Sequence, residues 1–213
     1  GYSSEFLKFS KTKVVGIDRD PSVISIAKKI EKKFKKRFKF YQSKFSLIDQ
    51  IIDHKADTIV FDLGISSIQL NNLERGFSFK SNKKLDMTMG LSDLSAEKVV
   101  NNLSENQLKL IIKIFGEEKD ASRIAKNIVK ARLEKKITKV DELVKIIEKS
   151  KKRNFSSKIN PSTKTFQALR IFVNKEITEL IYRINQATKI LKPGCKILVI
   201  SFLSIEDKSV KYF

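Results

Sequence analysis

Two acidic residues stand where short apolar runs stop. Asp18 ends "KVVGID" and Asp62 ends "ADTIVFD", and the "LGISSIQL" after Asp62 is small or hydrogen-bonding at Gly64, Ser66, Ser67 and Gln69. A carboxylate at the end of a buried strand accepts hydrogen bonds from ribose hydroxyls, the contact that nucleotide-binding α/β folds place there. Glycine lets the backbone approach a ligand, while serine hydroxyls and the Gln69 amide meet a polar heterocycle or an amino acid moiety. Each acid also has a plainer role. Asp18 could carry a helix-start charge, although Asp20 of "DRDP" already fills that position, and Asp62 could cap the turn after its strand. The pattern points to a nucleotide-type site without naming the nucleotide.

Other chemistries are excluded by what the chain lacks. Its one histidine, His54, lies in the polar stretch "DHKAD", so neither a Ser-His-Asp triad nor a histidine-based metal site can be assembled, and no metal is expected. Its one cysteine, Cys195 in "CKILVISF", rules out an internal disulfide framework and a multi-cysteine zinc site. The expected role of Cys195 is a small buried hydrophobe, and a reducing, cytoplasmic setting is the default. No apolar run approaches the ~18 residues of a membrane span, and no signal-peptide pattern is visible. Lys plus Arg number 44 against 24 Asp plus Glu, a formal charge of +20. Charge of that size concerns partners and favours a polyanion such as nucleic acid; the bland alternative is a lysine-rich surface.

The elements that must hold these residues follow from periodicity. With 213 residues, 41% of them hydrophobic, the chain suffices for one large domain or one domain with an insertion. "KVVGID", "FKFYQS" and "ADTIVFDLG" read as strands, the first followed by Asp20 as N-cap, Pro21 in the first helical turn and apolar residues at helical spacing. This alternation of strand and helix argues a doubly wound sheet with right-handed crossovers. After Gly64 a long glycine-punctuated stretch is irregular, and such loops are commonly functional. Helices follow, with Ser104 and Gln107, and Thr138 and Asp141, spaced as capping pairs. A basic connector then leads to "TFQALRIFVNKEITELIYRINQATKIL", read as one long amphipathic helix with Phe166, Leu169, Ile177, Leu180, Ile181 and Ile184 on one face. "KPG" breaks it, and "CKILVISF" returns as a strand.

"GIDRDPSVISIAKK", "FDLGISSIQLNNLERGFSF", "LDMTM", "FGEEKDASRIAKNIV", "TFQALRIFVNKE" and "LKPGCKILVISFLSIEDKSVK" occur in this order. Together they resemble the bacterial 16S ribosomal RNA cytosine-N4 methyltransferase family across nearly the whole chain. The resemblance implies an α/β fold with a Rossmann-like class I methyltransferase sheet in residues 1–88 and 164–213, and an all-helical insertion, 89–163, that meets RNA. It implies S-adenosylmethionine as cofactor and methylation of the exocyclic amine of a cytosine in the decoding region of the small ribosomal subunit. Gly1 matches the second glycine of the family's cofactor loop and Tyr2 stands where that loop has histidine. Asp18 matches the ribose contact, Phe45 a residue beside the adenine, and Asp62 and Gln69 further cofactor contacts. The chain begins inside the cofactor loop, so a fragment is expected, lacking the strand before Gly1 and strands after Phe213, with weak cofactor binding of its own.

Two departures stand out: Leu203 and Asn160 occupy positions where the family usually has histidine, so no proton transfer by those histidines carries over. Cytosine N4 is a poor nucleophile because its lone pair is delocalised into the ring. Methyl transfer then needs an aligned amine and an acceptor on its N–H bonds, a role open to Asp62, the candidate catalytic residue, or to a neighbouring backbone carbonyl, with no metal required. For stacking the base, Phe77 and Phe79 are guesses that compete with an ordinary core role. Arg75, Lys80, Lys83 and Lys84 beside the expected cleft, and Lys151, Lys152, Arg153 and Lys158 in the connector, are candidate phosphate contacts. The competing functions are a nicotinamide-dependent oxidoreductase, which shares the acidic ribose contact, and a non-catalytic RNA-binding or ribosome-assembly module.

Overall fold

The computed structural model describes residues 1–92, 94–151 and 159–213. In chain order, α1 (Tyr2–Phe6) leads to β1 (Val14–Asp18), α2 (Ile24–Phe34), β2 (Phe38–Gln42), α3 (Ile48–Ile51) and β3 (Ala56–Asp62). Six helices follow: α4 (Ser67–Asn71), α5 (Ala96–Asn102), α6 (Glu105–Gly116), α7 (Ala121–Glu134), α8 (Val140–Ser150) and α9 (Thr163–Val173). The chain closes with α10 (Glu176–Ile190), β4 (Leu191–Ile200) and α11 (Ser204–Lys211). Contacts divide it into two compact units, residues 1–64 with 177–213, and residues 65–176.

In the first unit, the three strands read from sequence are present, and the Asp20 carboxylate accepts the Ser22 N–H at 2.9 Å to start the turn that leads into α2. β1 pairs in parallel with β2, and β3 in parallel with β4. The single open sheet expected from the alternation is thus realised as two parallel pairs, and among the described residues no strand joins them. β4 begins earlier than expected, at Leu191. "KPG" is absorbed as an irregularity, since pairing jumps from Ala56↔Leu191 to Thr58↔Lys196 and Gly194 has φ +78°. Cys195 is only half-buried there, not the buried hydrophobe expected. Alternate residues of β3 and the loop after it, Ile59, Phe61 and Leu63, pack with Leu180, Ile184, Ala187 and Ile190 of α10. Each such buried side chain contributes about 1.5–3 kcal/mol.

The second unit is helical around one core that contains Leu108, Ile112, Ile124, Ile128, Leu143, Ile147 and Leu169. It is larger than the expected 89–163 insertion. Phe77, Leu85 and Met87 before it, and Phe166, Leu169 and Val173 after it, belong to the same core. The expected long helix is two helices. Lys175 takes a left-handed φ of +52°, and the 3.6-residue pattern runs unbroken across the joint while its residues serve different cores. Phe166 and Leu169 face the helical core, Leu180 and Ile184 the other, and Ile181 is exposed. α6 and α9 cross closely at Gly116, where a Cβ would lie 2.5 Å from the Lys164 carbonyl oxygen.

The Ser104–Gln107 pair caps α6 reciprocally, at 2.9 and 3.3 Å. At α8 the reach-back comes from Glu142 and not from Asp141. Glu142 accepts Lys135 Nζ at 2.8 Å and the N–H groups of Thr138 at 2.9 Å and Lys139 at 3.0 Å. The Lys135 hydrogen bond first, then the backbone donors, hold its carboxyl down at about 2. Because the folded value lies below the unfolded one, the stabilisation is full above about pH 4.5 and is lost as pH falls toward 2. Lys135 is largely exposed, so screening discounts the effect to about 1–2 kcal/mol. Glu142→Gln should remove that amount at pH 7 and flatten the acid dependence of urea unfolding in this interval.

The irregular stretch after α4 is wound tightly onto the helical core. Leu85, Met87 and Met89 of "LDMTM" alternate inward. The Leu85 N–H donates to Thr138 O at 2.9 Å, the Met87 N–H to Arg75 O at 2.9 Å, and Val140 N–H to Lys83 O at 3.0 Å. Met87 is fully buried with φ +60°, a strained conformation for a side-chain-bearing residue. Asn174, 1% exposed, locks it: its Oδ1 accepts Met89 N–H at 2.9 Å, and its Nδ2 donates to Met87 O at 2.8 Å and Arg170 O at 2.9 Å.

Candidate functional site

Asp18 and Asp62 stand at the carboxyl ends of β1 and β3, where ligands bind in open parallel sheets. Asp18 Oδ1 accepts the Asp20 N–H at 2.8 Å, and the Ser43 N–H donates to Asp18 O at 3.0 Å, which ties the end of β1 to the end of β2. Burial pushes the Asp18 carboxyl above the usual aspartate value. The Asp20 N–H pulls it back, the Asp20 charge raises it, and the Arg19 and Arg183 charges lower it.

Phe45 follows β2 on a short 3₁₀ turn, half-buried, with its ring centroid 6.4 Å from that of Phe61. The Arg183 guanidinium of α10 lies 4.4 Å from the Phe45 centroid and 5.7 Å from that of Phe61. Thus one cluster joins Phe45, Phe61, which is the residue before Asp62, and the buried Arg183. Sequence reasoning missed Arg183. Its signal was a lone cation in the stripe Leu180, Ile184, Ala187.

Asp62 is exposed, and partial desolvation alone raises its carboxyl above the usual value. Gly64 follows with φ +87°, the left-handed conformation that favours glycine. Phe202 lies beside it, 68% exposed, and a Cβ on Gly64 would be 3.5 Å from the Phe202 ring. The turn carrying Phe202 is fixed by Glu206, 2% exposed, whose Oε2 accepts the N–H groups of Phe202 at 3.0 Å and Leu203 at 3.2 Å. Leu203, one of the two departures, therefore opens α11. Asn160, the other, accepts the Ser162 N–H at 2.8 Å in the turn before α9.

The remaining candidates divide. Gly1 precedes α1 with open space around it, and Tyr2 is 48% exposed. Gln69 lies in the second unit and builds α4: its Oε1 accepts Ser66 N–H at 2.9 Å, and its own N–H donates to Ser66 Oγ at 3.2 Å. Phe77 is buried in the helical core, and Phe79, half-buried, packs edge-on against Phe166. Arg75 donates to Thr88 O at 2.7 Å and lies over Phe77, and Lys151 pairs with the buried Glu118. Lys80, Lys83 and Lys84 are exposed, with Lys83 paired to Glu74. Lys152, Arg153 and Lys158 lie outside the described residues. Among the described residues no helix is long and apolar enough to cross a membrane.

Two parallel strand pairs, with β1 and β3 each ending in an aspartate and helices alternating with the strands, define a parallel α/β protein. The chain belongs to the MraW methylase family, whose pattern matches residues 1–213. It is 41% identical to the ribosomal RNA small subunit methyltransferase H of Bartonella grahamii over 213 residues, all of this chain and 64% of the relative. Proteins of the same name from Bartonella henselae and Brucella ovis are each 40% identical, with 61% and 63% of their lengths covered. The chain thus spans a little under two thirds of these curated relatives.

Proposed function

We propose that the complete protein transfers a methyl group from S-adenosylmethionine to N4 of a cytosine in the decoding region of 16S ribosomal RNA, in the cytoplasm. The observation that carries the reading is that β1 and β3 each end in an aspartate while the Phe45 ring packs against Phe61 at the end of β3. These residues fit the cofactor: a carboxylate at the end of β1 for ribose hydroxyls, and a half-buried ring for the adenine face. Gly1, Tyr2 and Gln69 would complete its binding. When bound, the cofactor supplies a methyl carbon activated by its sulfonium. Asp62 accepts a hydrogen bond from the exocyclic amine, which draws electron density onto the nitrogen and receives the proton that the alkylated amine loses. In this reading residues 1–64 with 177–213 carry most of the cofactor contacts, and the helical unit of residues 65–176, which contains the expected 89–163 segment, recognises RNA.

The test is transfer of labelled methyl from S-adenosylmethionine to small-subunit RNA, followed by mapping of the modified atom. Absence of transfer by the complete protein, with RNA binding retained, would favour a non-catalytic RNA-binding module. Exposed Lys80 and Lys84 supply phosphate contacts, together with Lys83, Lys152, Arg153 and Lys158. The logarithm of RNA affinity should then fall with the logarithm of salt by about 0.7–0.9 per contact, and Lys80→Ala with Lys84→Ala should reduce the slope by about two contacts. A salt-independent affinity would contradict this.

A further inference from the structure

We infer that Arg183 is a positioning residue of the cofactor site, holding the Phe45 ring in place beside Phe61. The inference rests on the proposed cofactor reading and deepens it.

A charged side chain in the apolar stripe of α10 is costly to bury unless its charge has work to do there. Arg183 is 7% exposed, on the same face as Leu180, Ile184 and Ala187. A leucine or methionine would fill such a position without the cost of desolvation. The guanidinium instead lies over two rings at once, 4.4 Å from the centroid of Phe45 and 5.7 Å from that of Phe61. In a desolvated setting this is a favourable cation–π arrangement, and the planar group leaves the ring little freedom to turn. Phe45 needs that restraint, because it sits on a single 3₁₀ turn after β2, with its own residue only half-buried.

The same charge acts on Asp18. A carboxylate that accepts ribose hydroxyls has to be ionised, and the burial of Asp18 works against ionisation. The charged groups that act on it are Arg19 and Asp20 from the following turn and Arg183 from α10. The first two are adjacent in sequence and opposite in sign. Arg183 is the cation supplied by another element, so its removal shifts Asp18 further toward the protonated form. Binding of a nucleoside through that carboxylate then fails at a higher pH than in the parent protein.

The experiment measures S-adenosylhomocysteine affinity by calorimetry across pH 4.5–8.5 in the complete protein, comparing Arg183→Met, Arg183→Lys and Asp18→Ala. Arg183→Met should weaken binding about tenfold near pH 7, on the scale of one desolvated cation–π contact. It should also move the acid-side loss of binding to higher pH. Arg183→Lys keeps the charge and loses the planar stack, so its acid limb should match the parent while its affinity falls by a few fold. A purely structural role would weaken both Arg183 variants without moving the acid limb. Parent-like affinity and pH profile in Arg183→Met, with binding lost in Asp18→Ala, would overturn the inference. Parent-like binding in Asp18→Ala would instead overturn the cofactor reading beneath it. Should Arg183→Met fail to fold, an Arg183→Lys protein with a displaced acid limb or a slack-free, parent-like affinity would decide against Arg183 in the same way.

Discussion

Asp62→Ala in the complete protein should cut methyl transfer at least about 100-fold, within the range that a positioned acid–base group contributes. The carboxylate stands at the end of β3, exposed, with only desolvation acting to raise its proton affinity. It is therefore more basic than an ordinary aspartate, which suits it to accept from an amine that becomes acidic as it is alkylated. Asp62→Asn keeps an acceptor oxygen and loses the capacity to take a proton, so its turnover should lie between the parent and the alanine variant. In the parent, turnover should fall on the acid side as Asp62 protonates, with a midpoint above the usual aspartate value. Near-normal turnover in Asp62→Ala would remove Asp62 from the chemistry and leave the backbone carbonyls of the same turn as acceptors.

The second large effect concerns stability. Asn174→Ala should destabilise the helical unit by about 3 kcal/mol, because the side-chain bonds to the Met89 N–H and Met87 O are lost together in a buried segment, while Arg170 O keeps the backbone N–H of residue 174 at 3.1 Å. Gln167→Ala is the internal comparison. Its Nε2 donates to a single carbonyl, Phe115 O, at 2.9 Å, so its loss should cost nearer 1 kcal/mol. The chain has no tryptophan, so urea unfolding is followed by circular dichroism in the far ultraviolet. A loss below about 1 kcal/mol for Asn174→Ala would mean that the buried "LDMTM" segment is held by its contacts to Arg75 and Thr138 instead.

Much of this was legible in the residues. β1, β2 and β3 were readable because strands of a parallel sheet are continuous apolar runs, and Asp18 and Asp62 were placed by where those runs stop. The turn at Asp20 and the cap at Ser104 were readable because their chemistry is local. The break at Asn174 and Lys175 was not, since a periodic apolar stripe does not say which of two cores each residue enters. Nor was the grouping of Arg183 with Phe45, which sequence separates widely and only the packing of α10 brings together. Glu142 replaced Asp141 at α8 because two backbone donors and Lys135 converge on the longer side chain.

The division of the chain also orders its own making. Residues 65–176 are contiguous, whereas β3 has to wait for β4, whose residues lie beyond that entire unit. During synthesis the helices can close their core from neighbouring segments while the edge of β3 that β4 will cover stays open. The strand that ends in Asp62 is thus the last of the first three to gain its described partner, and its carboxyl end is paired only when the end of β4 has left the ribosome.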